Sequence, residues 1–237
     1  MTKRTLLISG GTRGIGLAIS QAFARRGYNI ATFSRTQNEI DAFRGRMEEL
    51  GALCLAEAGD ACDDAFLQTF VARVMERFGD IFALVNNAGG GKKDPILKAS
   101  LADWDQTLAV NLRAAMVLTK LVLPEIIKTP GALIVNISSI AGKMGMAESS
   151  AYSAAKFGLR GFTEALFEEV REYGVKVSAI CPGYVDTPLI PNRKALMREE
   201  MIRPEDIANA VEFILDSSPS ACPVEITIRP QKSPFRK

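Results

Sequence analysis

The stretch AYSAAKFGLRGF, residues 151–162, sets a tyrosine and a lysine four positions apart. On an α-helix that spacing projects both side chains from one face. A free phenol has a pKa near ~10, too high to exchange protons readily at neutral pH. A lysine ammonium ~4 Å away, at an effective dielectric of ~20, favours the phenolate by roughly 4 kcal/mol. That would lower the phenol pKa by about three units before desolvation opposes it. Tyr152 and Lys156 are therefore a candidate acid–base couple, although the spacing alone also fits two surface side chains on an ordinary helix. The chain of 237 residues holds no histidine, which excludes Ser-His-Asp and Cys-His catalysis and any His-ligated zinc. A group working near neutral pH must be a carboxylate, lysine, cysteine or tyrosine. No metal site is expected.

A second candidate lies near the N-terminus. LLISGGTRGIG runs from an apolar strand-like segment into a helix-like one, with Gly10, Gly14 and Gly16 spaced G-x-x-x-G-x-G around Thr12, Arg13 and Ile15. Glycines at such a turn let the backbone approach a phosphate, and the helix behind offers free N–H groups and a positive dipole end. The same glycines would also serve a purely structural turn. GGGKKD, residues 89–94, is not a P-loop, because Lys93 stands where serine or threonine belongs. At the end of the second strand-like segment, ATFSRT places Ser34 and Arg35 where an NAD site would carry a carboxylate for the ribose 2′-hydroxyl. A guanidinium there suits a 2′-phosphate, Arg13 adds a second cation, and no acid is in view to compete. The reading is NADP(H).

The elements that must position these residues alternate in kind. TLLIS (5–9), NIATFS (29–34), ALCLAE (52–57), IFALVN (81–86), ALIVNIS (132–138), KVSAIC (176–181) and VEITIR (224–229) are near-continuous apolar runs, as buried parallel strands are. Between them, segments such as 15–27 and 63–79 carry helical spacing and stop at glycine. Strand and helix alternating over the whole length predicts an α/β protein: one doubly wound Rossmann domain, residues 1–229, with a seven-stranded parallel sheet and helices on both faces. Residues 230–237 read as a basic, solvated tail.

Composition sets outer limits. Twenty-nine basic against twenty-seven acidic residues, a net charge of +2, lacks the basic excess of a nucleic-acid binder. No apolar run reaches the ~18 residues of a membrane span, and glycine and arginine interrupt the N-terminal apolar stretch too early for a signal peptide. Four cysteines without paired spacing predict reduced thiols and a cytoplasmic protein.

Taken together, these features resemble the short-chain dehydrogenase/reductase family over nearly the whole chain. SGGTRGIG (9–16) is similar to its TGxxxGxG loop, with Ser9 in place of threonine. NNAG (86–89) matches its fourth-strand motif and YSAAK (152–156) its YxxxK. Ser139 lies thirteen residues before the tyrosine, PG at 182–183 is followed by Thr187, Asn111 stands in VNL, and Asp60 matches the acid near the adenine. The resemblance implies Ser139, Tyr152, Lys156 and Asn111 as catalytic. It implies cofactor contacts at Gly10, Thr12, Arg13, Gly14, Ile15, Gly16, Ser34, Arg35, Asp60, Asn87, Ala88, Gly89, Tyr152, Lys156, Pro182, Gly183, Val185 and Thr187. Tyr152 would pass a proton to a carbonyl oxygen, Ser139 would donate a second hydrogen bond to it, Lys156 would hold the nicotinamide ribose, and Asn111 would support a water relay through its backbone.

The region after YVDTPL is short, so the lid over the substrate is expected to be small, and the last strand lacks the VDGG ending of many relatives. Met144 and Met146 could line the substrate mouth or simply fill a loop; Trp104 reads as helix packing and Cys181 as a buried strand residue. Two functions follow. One is an NADP(H)-dependent oxidoreductase on a small carbonyl or alcohol substrate, with a 3-oxoacyl-thioester reductase as one form of it. The other is a non-catalytic NADP(H) sensor, which has no need of the full serine–tyrosine–lysine–asparagine set. The apolar helices at about 104–128 and 150–173 suit a homodimer or homotetramer.

Overall fold

The computed structural model describes residues 3–190 and 195–235. Seven parallel strands form one sheet in the order β3-β2-β1-β4-β5-β6-β7. They are β1 (Thr5–Ser9), β2 (Asn29–Ser34), β3 (Cys54–Ala58), β4 (Ala83–Asn86), β5 (Leu133–Ile137), β6 (Lys176–Pro182) and β7 (Glu225–Ile228). Between them run α1 (Gly14–Arg25), α2 (Gln37–Glu49), α3 (Asp64–Phe78), α4 (Leu101–Leu108), α5 (Ala114–Ile126), α6 (Ser150–Val170) and α7 (Pro204–Asp216). The apolar runs are buried because parallel strands have no solvent face: every residue of β1, β5 and β6 is buried. The helices surround the sheet, α1 packing on α7 and α3 on α5.

The third and fourth strands begin two residues later than their apolar runs suggest, at Cys54 and Ala83, because Ala52, Ile81 and Phe82 are buried in the approach to the strand rather than in its ladder. The helix expected over 150–173 ends at Val170, its last three residues winding into a 3₁₀ turn before Gly174. α3 starts on Asp63, whose carboxylate accepts from the N–H groups of Ala65 and Phe66, and stops at Gly79 in the left-handed conformation.

By length and mean hydropathy alone Leu101–Ile126 is long and apolar enough to cross a membrane, although Arg113 and Lys120 interrupt its apolar residues. In the fold it is not one continuous α-helix. A π-helical segment, Ala109–Arg113, separates α4 from α5, and α5 buries Leu118, Val122 and Ile126 in the core.

The strand order reverses between β1 and β4. Successive connections leave that point in opposite directions, opening a crevice at the carboxyl ends of both strands. Into it run the glycine turn after β1 and the NNAG segment after β4.

The tail is mostly exposed, yet it is attached. Through Phe235 it folds back on the segment that follows β6. Leu196 and Phe235 form an antiparallel bridge, the Met197 N–H donates to the Pro234 carbonyl at 2.8 Å, and the Phe235 ring stands edge-on to Tyr184 at 5.1 Å. Residues 236–237 of the tail and 191–194 of the expected lid lie outside the described residues.

Candidate active site

The glycine turn is pinned from both sides. The Gly10 N–H donates to the Phe33 carbonyl and the Gly11 N–H to Thr32 Oγ1, holding the turn against β2. Toward β4, Ser9 Oγ accepts the N–H groups of both Asn87 and Ala88 at 3.0 Å, and Asn87 Nδ2 donates back to the carbonyls of Ser9 and Gly10. A hydroxyl at position 9 thus bolts the two strand ends that frame the crevice. Gly16 is required by close approach, since a Cβ there would stand 2.2 Å from the Gly10 carbonyl oxygen. α1 then opens with Arg13 as N-cap, no side chain capping its free N–H groups and no acid in its first turn. Ile15 packs against the core just inside that turn.

Ser34, Arg35 and Arg13 meet at the end of β2, but the expectation that no acid competes there is wrong. Glu39, in the first turn of α2, reaches back to this corner. Its carboxylate lies 3.3 Å from Arg13 Nη1 and accepts from Thr12 Oγ1 at 3.1 Å and Ser34 Oγ at 3.2 Å. Scanning the end of the strand misses it because the acid sits one helical turn further along. Arg35 is exposed and has no carboxylate partner among the described residues.

Beyond this corner a small, mostly apolar void is lined by Phe33, Ala61, Leu67, Ala88 and Val110 together with Ser9 and Asn86. Asp60 stands beside it, its carboxylate accepting from the Cys62 N–H at 2.9 Å. Asn86 Oδ1 is buried there without a partner. The other end of that amide belongs to a polar ladder the sequence reading did not find. Asn86 Nδ2 donates to Asn136 Oδ1 and Thr119 Oγ1, and Asn136 Nδ2 donates to Thr163 Oγ1, tying β4, β5, α5 and α6. An asparagine inside the apolar run ALIVNIS was the available signal.

Deeper in the crevice the four expected catalytic residues come from three separate segments. Ser139 follows β5, with its Oγ accepting the Ala141 N–H at 3.1 Å. Its neighbour Ser138 is turned away, buried and donating to the Lys156 carbonyl. Tyr152 and Lys156 share a face of α6, Lys156 Nζ lying 5.6 Å from the Tyr152 ring centre. That Nζ is buried and donates to the Ile137 carbonyl at 2.8 Å. Asn111 sits in the π-helical segment and clamps Gly90, Nδ2 donating to its carbonyl at 2.6 Å and Oδ1 accepting from its N–H at 3.1 Å. Gly89 lets these groups converge: a Cβ on it would stand 2.7 Å from Asn111 Oδ1 and 3.3 Å from Lys156 Nζ.

The electrostatics differ from the expectation. Burial raises the Tyr152 phenol above its ordinary pKa, while a hydrogen bond from Ser139 works the other way. The raising by burial outweighs the depression that the spacing suggested, and Nζ makes its hydrogen bond with the Ile137 carbonyl rather than with the phenol. Burial lowers the Lys156 ammonium to about 8.

At the end of β6, Pro182 pairs with Ile228 of β7, and the Gly183 N–H donates to the Ile228 carbonyl at 2.8 Å. Val185 bridges to Ile202, and buried Thr187 lies against Gly14 of the glycine turn. On the far side of Tyr152 a small polar pocket is lined by Lys92, Asp94, Asp103, Trp104 and Ser149, so Trp104 faces this pocket as well as packing its helix. Met144, expected at a mouth or in a loop, is exposed between Ser139 and Tyr152; Met146 is partly buried. Cys181 is fully buried, and burial raises its thiol pKa.

Comparison with known proteins gives a consistent result. The family model described as short chain dehydrogenase matches residues 4–197. Nodulation protein G of Azospirillum brasilense is 34% identical over 224 residues, covering 90% of this chain and 91% of that protein. A 3-oxoacyl-[acyl-carrier-protein] reductase of Synechocystis sp. is 30% identical over 221 residues, covering 90% of each. Among solved structures, the alcohol dehydrogenase from Thermococcus sibiricus complexed with 5-hydroxy-NADP is similar with a TM-score of 0.88 and 25% identity, covering 99% of this chain and 100% of that one.

Proposed function

The chain belongs to the short-chain dehydrogenase family, and on that premise we propose that it is an NADP(H)-dependent oxidoreductase interconverting a carbonyl and a secondary alcohol, with Tyr152 as general acid and base. The observation that carries the reading is the convergence of Ser139, Tyr152, Lys156 and Asn111 beside the glycine turn. A sensor would have no use for that set.

The residues fit the cofactor. The uncapped N-terminus of α1 and the Gly10–Gly16 turn suit a pyrophosphate. The apolar side chains of Ala61, Ala88 and Val110 beside Asp60 suit the face of an adenine. Ser34, Arg35 and Arg13 offer the donors a 2′-phosphate needs. Asn87, Ala88, Gly89, Pro182, Gly183, Val185 and Thr187 would line the nicotinamide half. When bound, the cofactor supplies hydride to the carbonyl carbon, or accepts it in the reverse direction.

The chain's own residues do the rest. In reduction Tyr152 Oη donates its proton to the substrate oxygen, and Ser139 Oγ donates a second hydrogen bond that stabilises the charge developing there. Burial keeps the phenol protonated at neutral pH, which is the form reduction requires. Lys156 holds a proton at Nζ close to the phenol and the ribose position. Asn111 fixes Gly90 and so the loop flanking the pocket. A 3-oxoacyl thioester is a candidate substrate, supported by the similarity to the Synechocystis reductase.

A homodimer or homotetramer is supported by exposed Leu108, Met116 and Phe157 on the helical stretch of α4 and α5 and on α6. A cytoplasmic location is supported by four free cysteines.

The test is a fluorescence titration with NADPH and NADH in parallel, followed by oxidation rates against ketones, aldehydes and 3-oxoacyl thioesters. Preferential NADPH binding, lost in Arg35→Ala, with substrate-dependent oxidation is expected. Tight NADPH binding without turnover on any of them would favour the sensor, and binding of neither nucleotide would overturn the cofactor reading.

A further inference from the structure

Glu39 brings three donors onto one carboxylate: Arg13 Nη1, Thr12 Oγ1 and Ser34 Oγ. Thr12 and Arg13 belong to the glycine turn and Ser34 to the end of β2, so on the NADP(H) reading these are the groups that would face the 2′-position of an adenine ribose. We propose that Glu39 is the specificity-determining residue of this cofactor site, a built-in anion that competes with a 2′-phosphate for Arg13, Thr12 and Ser34 and offers an acceptor to a 2′-hydroxyl. The inference rests on the NADP(H) reading above.

The chemistry is one of substitution. Three hydrogen-bond donors, one of them a guanidinium, suit a single anionic group. In NADP(H) that group is the phosphate, which carries close to two negative charges near neutral pH. It must either displace the carboxylate or sit beside it, and both weaken binding relative to a site without the acid. Arg35, exposed and unpaired among the described residues, remains as the cation that favours the phosphate. With NAD(H) the balance reverses, since a ribose hydroxyl can donate to the Glu39 carboxylate and leave its contacts with Arg13 and Thr12 in place. Opposed in this way, Arg35 and Glu39 make the preference for NADP(H) moderate and the site open to both cofactors. The geometry allows this because Glu39 lies in the first turn of α2, where a carboxylate is also favoured by the helix dipole.

The experiment is equilibrium titration of NADPH and NADH by nucleotide fluorescence, on the wild-type chain and on Glu39→Gln and Glu39→Ala, with thermal unfolding of each as a control for folding. Glu39→Gln keeps an oxygen for Thr12 and Ser34 but removes the charge. The expected result is a Kd for NADPH about 5–10-fold tighter in both variants. NADH should be unchanged within about twofold in Glu39→Gln and weaker in Glu39→Ala, so that the ratio of the two constants rises about tenfold. A ratio unchanged within about twofold in both variants would overturn the proposal. So would weaker NADPH binding in Glu39→Gln, which would make Glu39 a support for Arg13 rather than a competitor. Failure of the cofactor reading has a different signature: the wild-type chain itself would not bind NADPH.

Discussion

Lys156 Nζ sits 5.6 Å from the ring centre of Tyr152 but spends its hydrogen bond on the Ile137 carbonyl, 2.8 Å away. The lysine is thereby fixed beside the phenol without being paired to it. Tyr152 keeps a raised pKa, so the protein at neutral pH presents a proton donor.

Replacement of Tyr152 by phenylalanine removes that donor and little else. Turnover in both directions should fall by about 10²–10⁴-fold, while the Kd for NADPH stays within about threefold of wild type. Single-turnover kinetics alongside the fluorescence titration separates the two. Retained turnover would rule out Tyr152 as the acid.

The two reaction directions should respond differently to pH. Oxidation needs the phenolate, a minor species below a raised pKa, so its kcat/KM should climb about tenfold per pH unit from pH 7 to 9. Reduction needs the phenol and should stay flat over the same range. An oxidation profile already level at pH 8 would mean that Lys156 outweighs burial once substrate and cofactor are in place.

Lys156 should also leave its mark on stability. Its ammonium is lowered to about 8 in the folded chain, against an ordinary value near ~10.4 when unfolded. Between those values the unfolded chain binds more protons than the folded one, so this residue's contribution rises with pH. Relative to Lys156→Met, the wild type should gain up to about 3 kcal/mol between pH 8 and pH 10.4, and it should lose that gain as pH falls through 8. Urea unfolding of both chains at three pH values checks the sign.

Ser9 accepts two backbone N–H groups across the crevice. Ser9→Ala would leave both unpaired in a partly buried place, costing about 1–3 kcal/mol and loosening the cofactor crevice, with NADPH binding weakened several-fold. Ser9→Thr keeps the acceptor and should behave as wild type. Equal losses in the two variants would show that packing, not the hydroxyl, matters at this position.

The folded-back tail gives a fifth expectation. Ending the chain after Lys232 removes the Pro234 and Phe235 contacts with Met197, Leu196 and Tyr184. The KM for the carbonyl substrate should rise several-fold and NADPH binding should stay within about twofold, because the released segment adjoins the substrate side. An unchanged KM would mean that the tail is only a surface attachment.

Most of the framework could be read from the chain. Buried parallel strands are continuous apolar runs, so the first two strands were found to the residue, and Gly79 and the 150–170 helix were found nearly so. The motif residues were legible because their spacing survives any packing. What escaped depends on side chains that reach across from another element. Glu39 belongs by sequence to a helix and by geometry to a strand end. The attachment of the tail escaped because two prolines and three basic residues carry no periodicity, yet one phenylalanine and one carbonyl hold it. The direction of the Tyr152 shift escaped for another reason: i,i+4 spacing fixes which face a lysine occupies but not how deeply the phenol beside it is buried, and burial set the direction.

The π-helical segment Ala109–Arg113 amounts to one extra residue inserted into an otherwise regular helix. It works as a splice between two rotational settings. The front half, with Trp104 and Thr107, is oriented by the polar pocket beside Tyr152. The back half, with Leu118 and Val122, is oriented by the sheet. Excising a single residue from the splice would restore an uninterrupted α-helix and turn one half about 100° against the other, so that Asn111 could not grip Gly90 while α5 kept its seat in the core. The length of this helix is therefore as much a part of the site as the residue types along it.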